Sequence, residues 1–499
     1  MAWEMGTPNT GAAMAAQSPE SVRILWQKEV DLFEQQQDFW MKFEGESKDN
    51  AICVVNNPSL QAGAGLKFRI TSRAGYYGRG KSGDQLFNVE ADFEKDIINN
   101  NEFSADFLRN ATSINDRTDE FMGMQGELAS GQTEELGKWM GREKSARAGM
   151  QFVLRGGPDN LLIGGGKSAE GDLLTADGLL FDDILYMGQA LKPMGGAPCA
   201  IATVNGSPVF KYCVVGTTPG LFSLKQDPNY QDKLEQAAPR EKYDENPLWT
   251  GGYMDIDGHR ITEFNPIDGD GEAWSGSWFN AKAYTGAAIT AGTTTFAIKG
   301  GGSAAAAANT NIDFFRFFPN FAFEFLPNDV YVPGSTVQYL LIVAPRGAVT
   351  ADNPHPGGIG MYSYTTGNNG MQITIVNRLG PANAGAMVST LGDVTWNTGV
   401  WATFHSENFP IGSTVVLCNE KGVPIGATVM FGKMVMLRGY GKDRNRRGQW
   451  YVDDFVTRKY IRTTFGQVLR KNVSNKYPGF VRLRHALRYP ELRLPVVTS

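Results

Sequence analysis

The sequence predicts a mixed α+β fold in which strands and loops outweigh helices. Glycine is frequent, with 59 residues beside 24 prolines, and 11% of residues are aromatic, a composition typical of tight turns and extended segments. The run 127–154 lacks proline and has helical periodicity, whereas several shorter runs alternate as half-exposed strands do. The 499 residues suffice for one core with at least one inserted or appended unit.

Charge and cysteine content argue against several function classes. The net charge of −5 gives no general attraction to a phosphate backbone, and no motif for reading nucleic-acid bases stands out. The cysteines form no C-x-x-C motif, so neither a zinc knuckle nor a disulfide framework is indicated, and we expect folding in a reducing cytoplasm. We find neither a signal peptide nor an apolar run of 18 residues, and we expect no export and no membrane span.

The first half of the chain predicts an arm, a helix, a β-excursion and a second helix. Residues 1–17 are small and polar and predict a flexible arm, and an amphipathic helix is predicted near 19–43. Residues 57–120 contain alternating runs around a glycine-rich basic segment and predict a long β-excursion. The run 127–154 predicts a helix roughly 40 Å long at 1.5 Å per residue.

The second half predicts mostly strands. Residues 199–215 alternate like a sheet, and 221–238 have helical composition. Residues 268–425 are rich in glycine, threonine and alanine, and strand-like runs there predict a β-sandwich or barrel. The chain ends in a basic segment with few acids.

Each apparent catalytic or ligand-binding motif lacks a residue that its spacing requires. Gly166-Lys167-Ser168 ends like a phosphate-binding loop, but position 161 is Leu161 where the motif needs glycine. Residues 268–272 resemble a calcium loop, but Phe279 stands where the twelfth-position glutamate belongs. The four histidines are far apart and never at metal spacing. We therefore expect no enzyme activity, no cofactor and no metal.

The order of these parts resembles the HK97-type capsid fold of tailed phages, and more narrowly the coat-protein family of N4-like phages. The blocks that carry the narrower resemblance span about 20–265 and 425–490. They are Trp26–Val30, Gly83–Asp84, Val89–Glu94, Phe210–Gly216, Pro219, Leu224, Asn246–Gly251, Ile256–Gly258, Ile261–Glu263, Phe431–Lys433 and, distantly, Asp454–His485. Residues 268–425 exceed what the family core usually carries, which implies an inserted domain.

The resemblance implies a division of the chain into the parts of a capsid fold with an inserted β-rich domain. These are an N-terminal arm with its helix (1–56), the extended excursion or E-loop (57–120), the spine helix and peripheral domain (121–198), the first part of the axial domain (199–267), the insertion (268–425), and the return to the axial and peripheral domains with a C-terminal tail (426–499).

The resemblance also implies a function. The expected function is a major capsid protein that self-assembles into hexamers and pentamers of an icosahedral shell enclosing double-stranded DNA, without sequence-specific contact. Scaffolding and portal proteins are the implied partners, with decoration proteins as a further candidate. Assembly in the host cytoplasm and residence in the virion capsid follow. A cellular nanocompartment shell of the same fold is the alternative.

Two further alternatives belong to other classes. A nucleotide-binding enzyme depends on Gly166-Lys167-Ser168 alone. A carbohydrate-binding surface protein would use tryptophans of the insertion for stacking on sugars, although tryptophans are more often core residues. Those tryptophans are Trp274, Trp278, Trp396 and Trp401.

Two groups of residues are candidates for contacts between subunits. The first group lies at the glycine-rich end of the excursion, where basic side chains are predicted to meet acidic residues of a neighbour: Arg73, Tyr76, Arg79, Lys81 and Asp84. Related shells crosslink an excursion lysine to a neighbouring asparagine, which makes Lys81 a candidate. The second group is a stripe of small residues on the predicted long helix, opposite its apolar face: Gly137, Gly141, Ser145 and Gly149.

The stripe is costly for a helix unless it serves a contact. Three glycines inside a helix cost about 1 kcal/mol each relative to alanine. The pattern predicts either that another segment approaches the helix closely or that glycine is merely tolerated there. The resemblance makes the excursion of an adjacent subunit the expected occupant.

Overall fold

The structure is a computed structural model. It describes residues 33–35, 37–55, 59–60, 66–73, 98–104, 106–115, 127–154, 158–204, 207–237, 255–264, 282–284, 295–297, 338–343, 359–366, 372–377, 414–419, 421–440, 446–453, 456–472, 476–489, 492 and 494.

The described strands are named in chain order. They are β1 (Glu44–Gly45), β2 (Ile52–Val55), β3 (Ser59–Leu60), β4 (Leu66–Arg73), β5 (Ile98–Ser104), β6 (Asp106–Asn115), β7 (Leu161–Ile163), β8 (Cys199–Val204), β9 (Ser207–Gly216), β10 (His259–Glu263), β11 (Lys282–Tyr284), β12 (Thr295–Ala297), β13 (Gln338–Val343), β14 (Ile359–Thr366), β15 (Gln372–Asn377), β16 (Thr414–Cys418), β17 (Ile425–Phe431), β18 (Met436–Tyr440), β19 (Arg446–Asp453), β20 (Val456–Leu469) and β21 (Phe480–Ala486).

The helices fall between these strands. The α-helices are Glu127–Leu154, called here the long helix, Phe181–Leu191, Thr218–Gln226 and Pro228–Ala237. The 3-10 helices are Phe39–Phe43, Pro158–Asn160, Gly164–Gly166 and Glu170–Asp172. The chain divides into two compact units, unit 1 with Met1–Ser145 and Lys433–Pro478, and unit 2 with Ala146–Gly432 and Gly479–Ser499.

Unit 1 is built around a six-stranded sheet with the order β1-β2-β18-β20-β19, in which β6 also pairs with β20. The 14-residue strand β20 holds this sheet together, because it pairs antiparallel with β6, β18 and β19. Apolar side chains of the long helix, Leu136 and Met140, pack with Ile461 and Phe465 of β20. The core of unit 1 therefore joins β20 of the sheet to the long helix.

Unit 2 contains a second six-stranded sheet, with the order β10-β9-β17-β21-β7 and β8 on β9. All seven residues of β17 and all seven of β21 are buried. The helices Phe181–Leu191 and Thr218–Gln226 contact this sheet, and their apolar side chains share a core cluster with it. Burial on both faces explains why β17 reads as a nearly continuous apolar run.

The centre of this sheet also contains a buried histidine, His485. The Thr428 hydroxyl donates to His485 Nε2 at 2.9 Å, and His485 Nδ1 donates to the Ala486 carbonyl at 3.0 Å. Burial lowers the pKa of His485 to about 4, with the neighbouring Arg484 acting in the same direction. The imidazole is therefore neutral in the folded chain at pH 7.

The insertion contributes six described strands in one antiparallel sheet, with the order β11-β16-β13-β14-β15-β12. Leu341 and Val343 of β13 and Val416 of β16 form a buried cluster with Leu487 and Tyr489 near the C-terminal end of the chain. The predicted β character is confirmed for these strands. The described strands form a single sheet where a sandwich or barrel was expected.

Two helix predictions need correction at their ends. Asp38 has an extended backbone, and its carboxylate accepts the Trp40 N–H at 3.1 Å, so a 3-10 helix covers 39–43 where the amphipathic helix was expected to continue. The predicted helix at 221–238 is two helices, because Asp227 ends the first and accepts the Asn229 N–H at 3.0 Å to begin the second. The long helix has the predicted bounds.

Candidate assembly elements

The excursion leaves and re-enters the unit 1 sheet at neighbouring positions. Val55, the last residue of β2, pairs with Gly439, which pairs with Gly466 on β20. Asp106, the first residue of β6, pairs with Phe465, the residue beside Gly466. Two strands separate these points, so at about 4.8 Å per strand spacing they lie roughly 14 Å apart. Fifty residues of chain (56–105) are thus inserted between two nearby points of one sheet.

The described strands of the excursion pair only with one another. β4 and β5 form an antiparallel pair from Lys67↔Ser104 to Arg73↔Ile98, and β3 adds to the other side of β4. At about 3.4 Å per residue, the eight-residue strand β4 is roughly 25 Å long. β3, β4 and β5 thus form a narrow ribbon, whereas β6, which the predicted excursion 57–120 included, belongs to the unit 1 sheet.

One predicted contact residue of the excursion, Arg73, lies within the described residues. Arg73 is the last residue of β4, opposite Ile98, and it is therefore at the end of the ribbon away from the sheet. Tyr76, Arg79, Lys81 and Asp84 lie outside the described residues. Their predicted contacts with a neighbouring subunit remain a prediction.

The small-residue stripe of the long helix is buried in the single chain. Gly137, Gly141, Ser145 and Gly149 are all buried. A Cβ atom placed at Gly141 would lie 2.5 Å from the Glu34 carbonyl oxygen and 2.9 Å from Gln37 Cβ. The predicted close approach therefore occurs at Gly141, and the approaching backbone belongs to the chain's own N-terminal segment. An intersubunit contact at the stripe remains a prediction.

This N-terminal segment, residues 33–35 and 37–45, is fixed to the long helix and to β18 by five charged side chains. Glu34, Asp38 and Glu44 supply the acids, Lys144 of the long helix and Arg438 of β18 supply the bases, and we call this set the buried ion cluster. Lys144 Nζ lies 2.6 Å from Glu34 Oε1, and Arg438 Nη1 lies 2.7 Å from Asp38 Oδ2 and also contacts Glu44 Oε1. The four side chains of the first two pairs are at most 1% exposed.

Further hydrogen bonds complete the cluster. Arg438 Nε donates to Gln467 Oε1 at 3.2 Å, and the Tyr440 hydroxyl donates to Glu44 Oε1 at 3.0 Å. The Trp40 indole N–H donates to the Ser145 carbonyl at 3.0 Å, beside the stripe. Partners of this kind are what a buried charge requires, since an unpaired one would cost several kcal/mol.

Aromatic rings cover the two cations. Lys144 Nζ lies 5.1 Å from the Tyr440 ring centroid and 5.3 Å from that of Phe465, and Arg438 Cζ lies 5.6 Å from the Phe465 centroid. Burial raises the pKa of Asp38, and the charge of Arg438 opposes that rise. Burial opposes the charge of Arg438, but Asp38 and Glu44 hold its pKa well above the ordinary arginine value. Arg438 therefore remains a cation throughout the accessible pH range.

Sequence reasoning missed the buried ion cluster. Its partners stand 110 and 400 positions apart in the chain, at Glu34 with Lys144 and at Asp38 with Arg438. The available signal was the pair Glu34 and Asp38, two acids four residues apart within a segment predicted to be amphipathic. Four-residue spacing places both on one side of a helix.

The glycine-rich string at 161–168 does not form a phosphate cradle. Leu161–Ile163 is strand β7, paired parallel with β21, and a 3-10 turn follows at Gly164–Gly166. Only a second 3-10 turn, Glu170–Asp172, comes next, where a phosphate-binding loop opens an α-helix. Lys167 Nζ faces Asp177 Oδ2 at 3.9 Å.

The described residues contain neither a cluster of metal ligands nor a membrane-spanning helix. No group of three or more His, Cys, Asp or Glu side chains among them is placed to hold a metal ion. No helix in the described part of the chain is long and apolar enough to cross a membrane. The calcium-loop resemblance at 268–272 lies outside the described residues.

No protein-family model and no curated protein matches the sequence. Among solved structures, the chain is similar to the capsid of Ralstonia phage GP4 (11% identity, 91% of this chain and 92% of that chain, TM-score 0.49). It is also similar to the capsid of cyanophage Pam1 (11%, 91% and 93%, 0.49) and that of Helicobacter pylori bacteriophage KHP30 (11%, 90% and 92%, 0.47).

The narrower resemblance to the N4-like coat-protein family stays a prediction. The described elements establish a mixed α+β fold.

Proposed function

We propose that this chain is the major capsid protein of a tailed phage and that it self-assembles into hexamers and pentamers of an icosahedral shell around double-stranded DNA. The observation that carries the proposal is the excursion, which leaves and rejoins the unit 1 sheet at points roughly 14 Å apart and whose described strands pair only with one another.

The excursion favours a partner because a ribbon of this kind is weak alone. Two- and three-stranded ribbons without a packed face are marginally stable in water, and their outer strands carry unpaired backbone groups. Resting on a neighbouring copy of the chain supplies both a packed face and polar partners. A contact between unlike surfaces of identical chains generates rings, as capsomers require.

The charge balance suits a container for DNA. A net charge of −5 gives the chain no general affinity for the genome, so the shell encloses DNA without reading it. Scaffolding and portal proteins complete the assembly in the host cytoplasm, with decoration proteins as a further candidate partner. The insertion adds a β-sheet to unit 2, and this sheet is a candidate contact surface for a decoration protein.

The test is to purify the protein produced together with its virus's assembly factors. Size-exclusion chromatography with light scattering and negative-stain electron microscopy should then show capsomer rings or closed shells. A strictly monomeric chain under these conditions would contradict the proposal. Shells that enclose a protein cargo in place of nucleic acid would instead identify a nanocompartment.

A further inference from the structure

Two buried cysteines face each other across neighbouring strands of unit 2. Cys199 is the first residue of β8, Cys213 lies in β9, and their Sγ atoms are 3.6 Å apart. Cys199 is 1% exposed and Cys213 is fully buried. The Cys199 thiol also approaches the Lys211 carbonyl oxygen, at 3.3 Å. All four cysteines are reduced thiols in this structure.

The environment of this pair differs from that of the other two cysteines. A hydrogen bond from the Cys213 thiol lowers the pKa of Cys199, although burial opposes the shift. Burial raises the pKa of Cys53 and raises that of Cys418 well above the usual range. Because the thiolate is the reactive form of cysteine, Cys199 is the most readily oxidised of these three.

The backbone at Cys199 is less constrained by strand pairing than the backbone at Cys213. A disulfide needs about 2.05 Å between sulfurs, so the two atoms must come about 1.5 Å closer. Among the described strands β8 pairs with β9 alone, and its register is irregular between Ala200 and Ala202. Cys213 lies in a strand paired with both β10 and β17. The approach is therefore made by the start of β8.

We propose that Cys199 and Cys213 are a disulfide-forming pair that is reduced during folding and oxidised by dioxygen once the protein leaves a reducing compartment. Both S–H bonds break, one S–S bond forms, and dioxygen takes the two electrons and two protons to become hydrogen peroxide. The bond would fix the start of β8 to the sheet. This inference stands apart from the proposed capsid function, since it rests on the geometry of unit 2 alone.

Peptide mapping of the full-length chain tests the proposal directly. One sample is kept under a thiol reductant and another is exposed to air, and both are denatured, alkylated and digested with trypsin. In the air-exposed sample we expect peptides 168–211 and 212–225 to be found as one linked species. Its mass should equal the sum of the two unmodified peptide masses minus two hydrogen atoms. Adding reductant should separate them, while Cys53 and Cys418 remain alkylated throughout.

Thermal unfolding supplies a second measurement. A disulfide closing a loop of this length raises the unfolding midpoint of a large unit by roughly 5 °C, and reductant should remove that gain. Cys199→Ser and Cys213→Ser should each abolish the response to reductant, whereas Cys53→Ser should keep it. Complete alkylation of Cys199 and Cys213 after prolonged exposure to air would overturn the proposal, and this result needs no variant to fold.

Discussion

At the scale of single residues, Gly141 leaves too little room for a side chain beside the N-terminal segment. The Glu34 carbonyl oxygen would lie 2.5 Å from an added Cβ, and a backbone atom cannot move aside as a flexible side chain can. The stripe of small residues on the long helix thus has a structural reason within the chain itself, at least at this position.

Gly141→Ala should therefore destabilise the protein although alanine favours a helix. The propensity gain is about 1 kcal/mol, and overpacking typically costs 1–3 kcal/mol, so we expect a net loss of about 1 kcal/mol in urea unfolding. Glu135→Ala, at an exposed position of the same helix, is the matched control and should change stability by less than about 0.5 kcal/mol. A Gly141→Ala protein more stable than wild type would show that the segment at Glu34 does not press on the helix.

The buried ion cluster leads to a second prediction at this scale. Arg438→Met removes the cation shared by Asp38 and Glu44 and leaves two buried acids facing each other, which should cost about 3–5 kcal/mol. Lys433→Met is the control, because its pair with Asp49 at 3.4 Å is exposed and is worth about 0–1 kcal/mol. Urea unfolding measures the free energy of unfolding of both variants. Similarly small losses in the two would mean that water reaches the buried ion cluster.

At the scale of elements, the excursion should be separable from the fold that carries it. Replacing residues 59–104 by a flexible linker of about six residues spans the roughly 14 Å between β2 and β6. We expect a folded chain by circular dichroism, with a similar unfolding midpoint, that no longer assembles. Loss of the fold would show that the excursion is part of the core of unit 1. Normal shells would show that the excursion makes no contact that assembly requires.

A finer variant reverses the charges of Arg73, Arg79 and Lys81 while leaving the ribbon in place. Unchanged circular dichroism with blocked assembly is the expected outcome, because glycine-flanked charges gain little unless a partner fixes them. Denaturing gels of assembled protein also test Lys81, since a covalent crosslink would give a ladder of high-mass bands. Assembly unaffected by the triple reversal would exclude a charged contact at this end.

The sequence predicted those elements whose signal is local. The long helix lies in a run without proline, and β4 alternates apolar and polar residues. The two helix errors have one cause, since Asp38 and Asp227 act as caps inside runs of helical composition. The buried ion cluster and the pairing of β20 with β6 join distant parts of the chain, and no local pattern specifies them.

At the scale of the whole molecule, low pH should destabilise unit 2 by protonating His485. In the unfolded chain a histidine titrates near 6.5, whereas the folded pKa is about 4. The neutral ring therefore contributes stability that is complete above pH 6.5 and is lost as pH falls from 6.5 toward 4. The shift corresponds to about 3 kcal/mol in total.

The measurement is the free energy of unfolding as a function of pH, compared with that of His485→Gln. Glutamine does not titrate, so the variant should show a shallower decline between pH 6.5 and 4 even if it is less stable at pH 7. Parallel curves for the two proteins would mean that His485 is not buried as a neutral ring.

The division of the chain also sets an order on its folding during synthesis. Residues 1–145 belong to unit 1, yet the strands β18 and β20 that complete their sheet come from 433–478. At about 5–20 residues per second, the ribosome needs roughly 15–60 s to make the intervening stretch. The early part of the chain spends that interval without the strands it must pair with. Only a chain translated beyond Pro478 can present the excursion on a finished base, so, given the proposed function, we expect products truncated before this residue not to assemble.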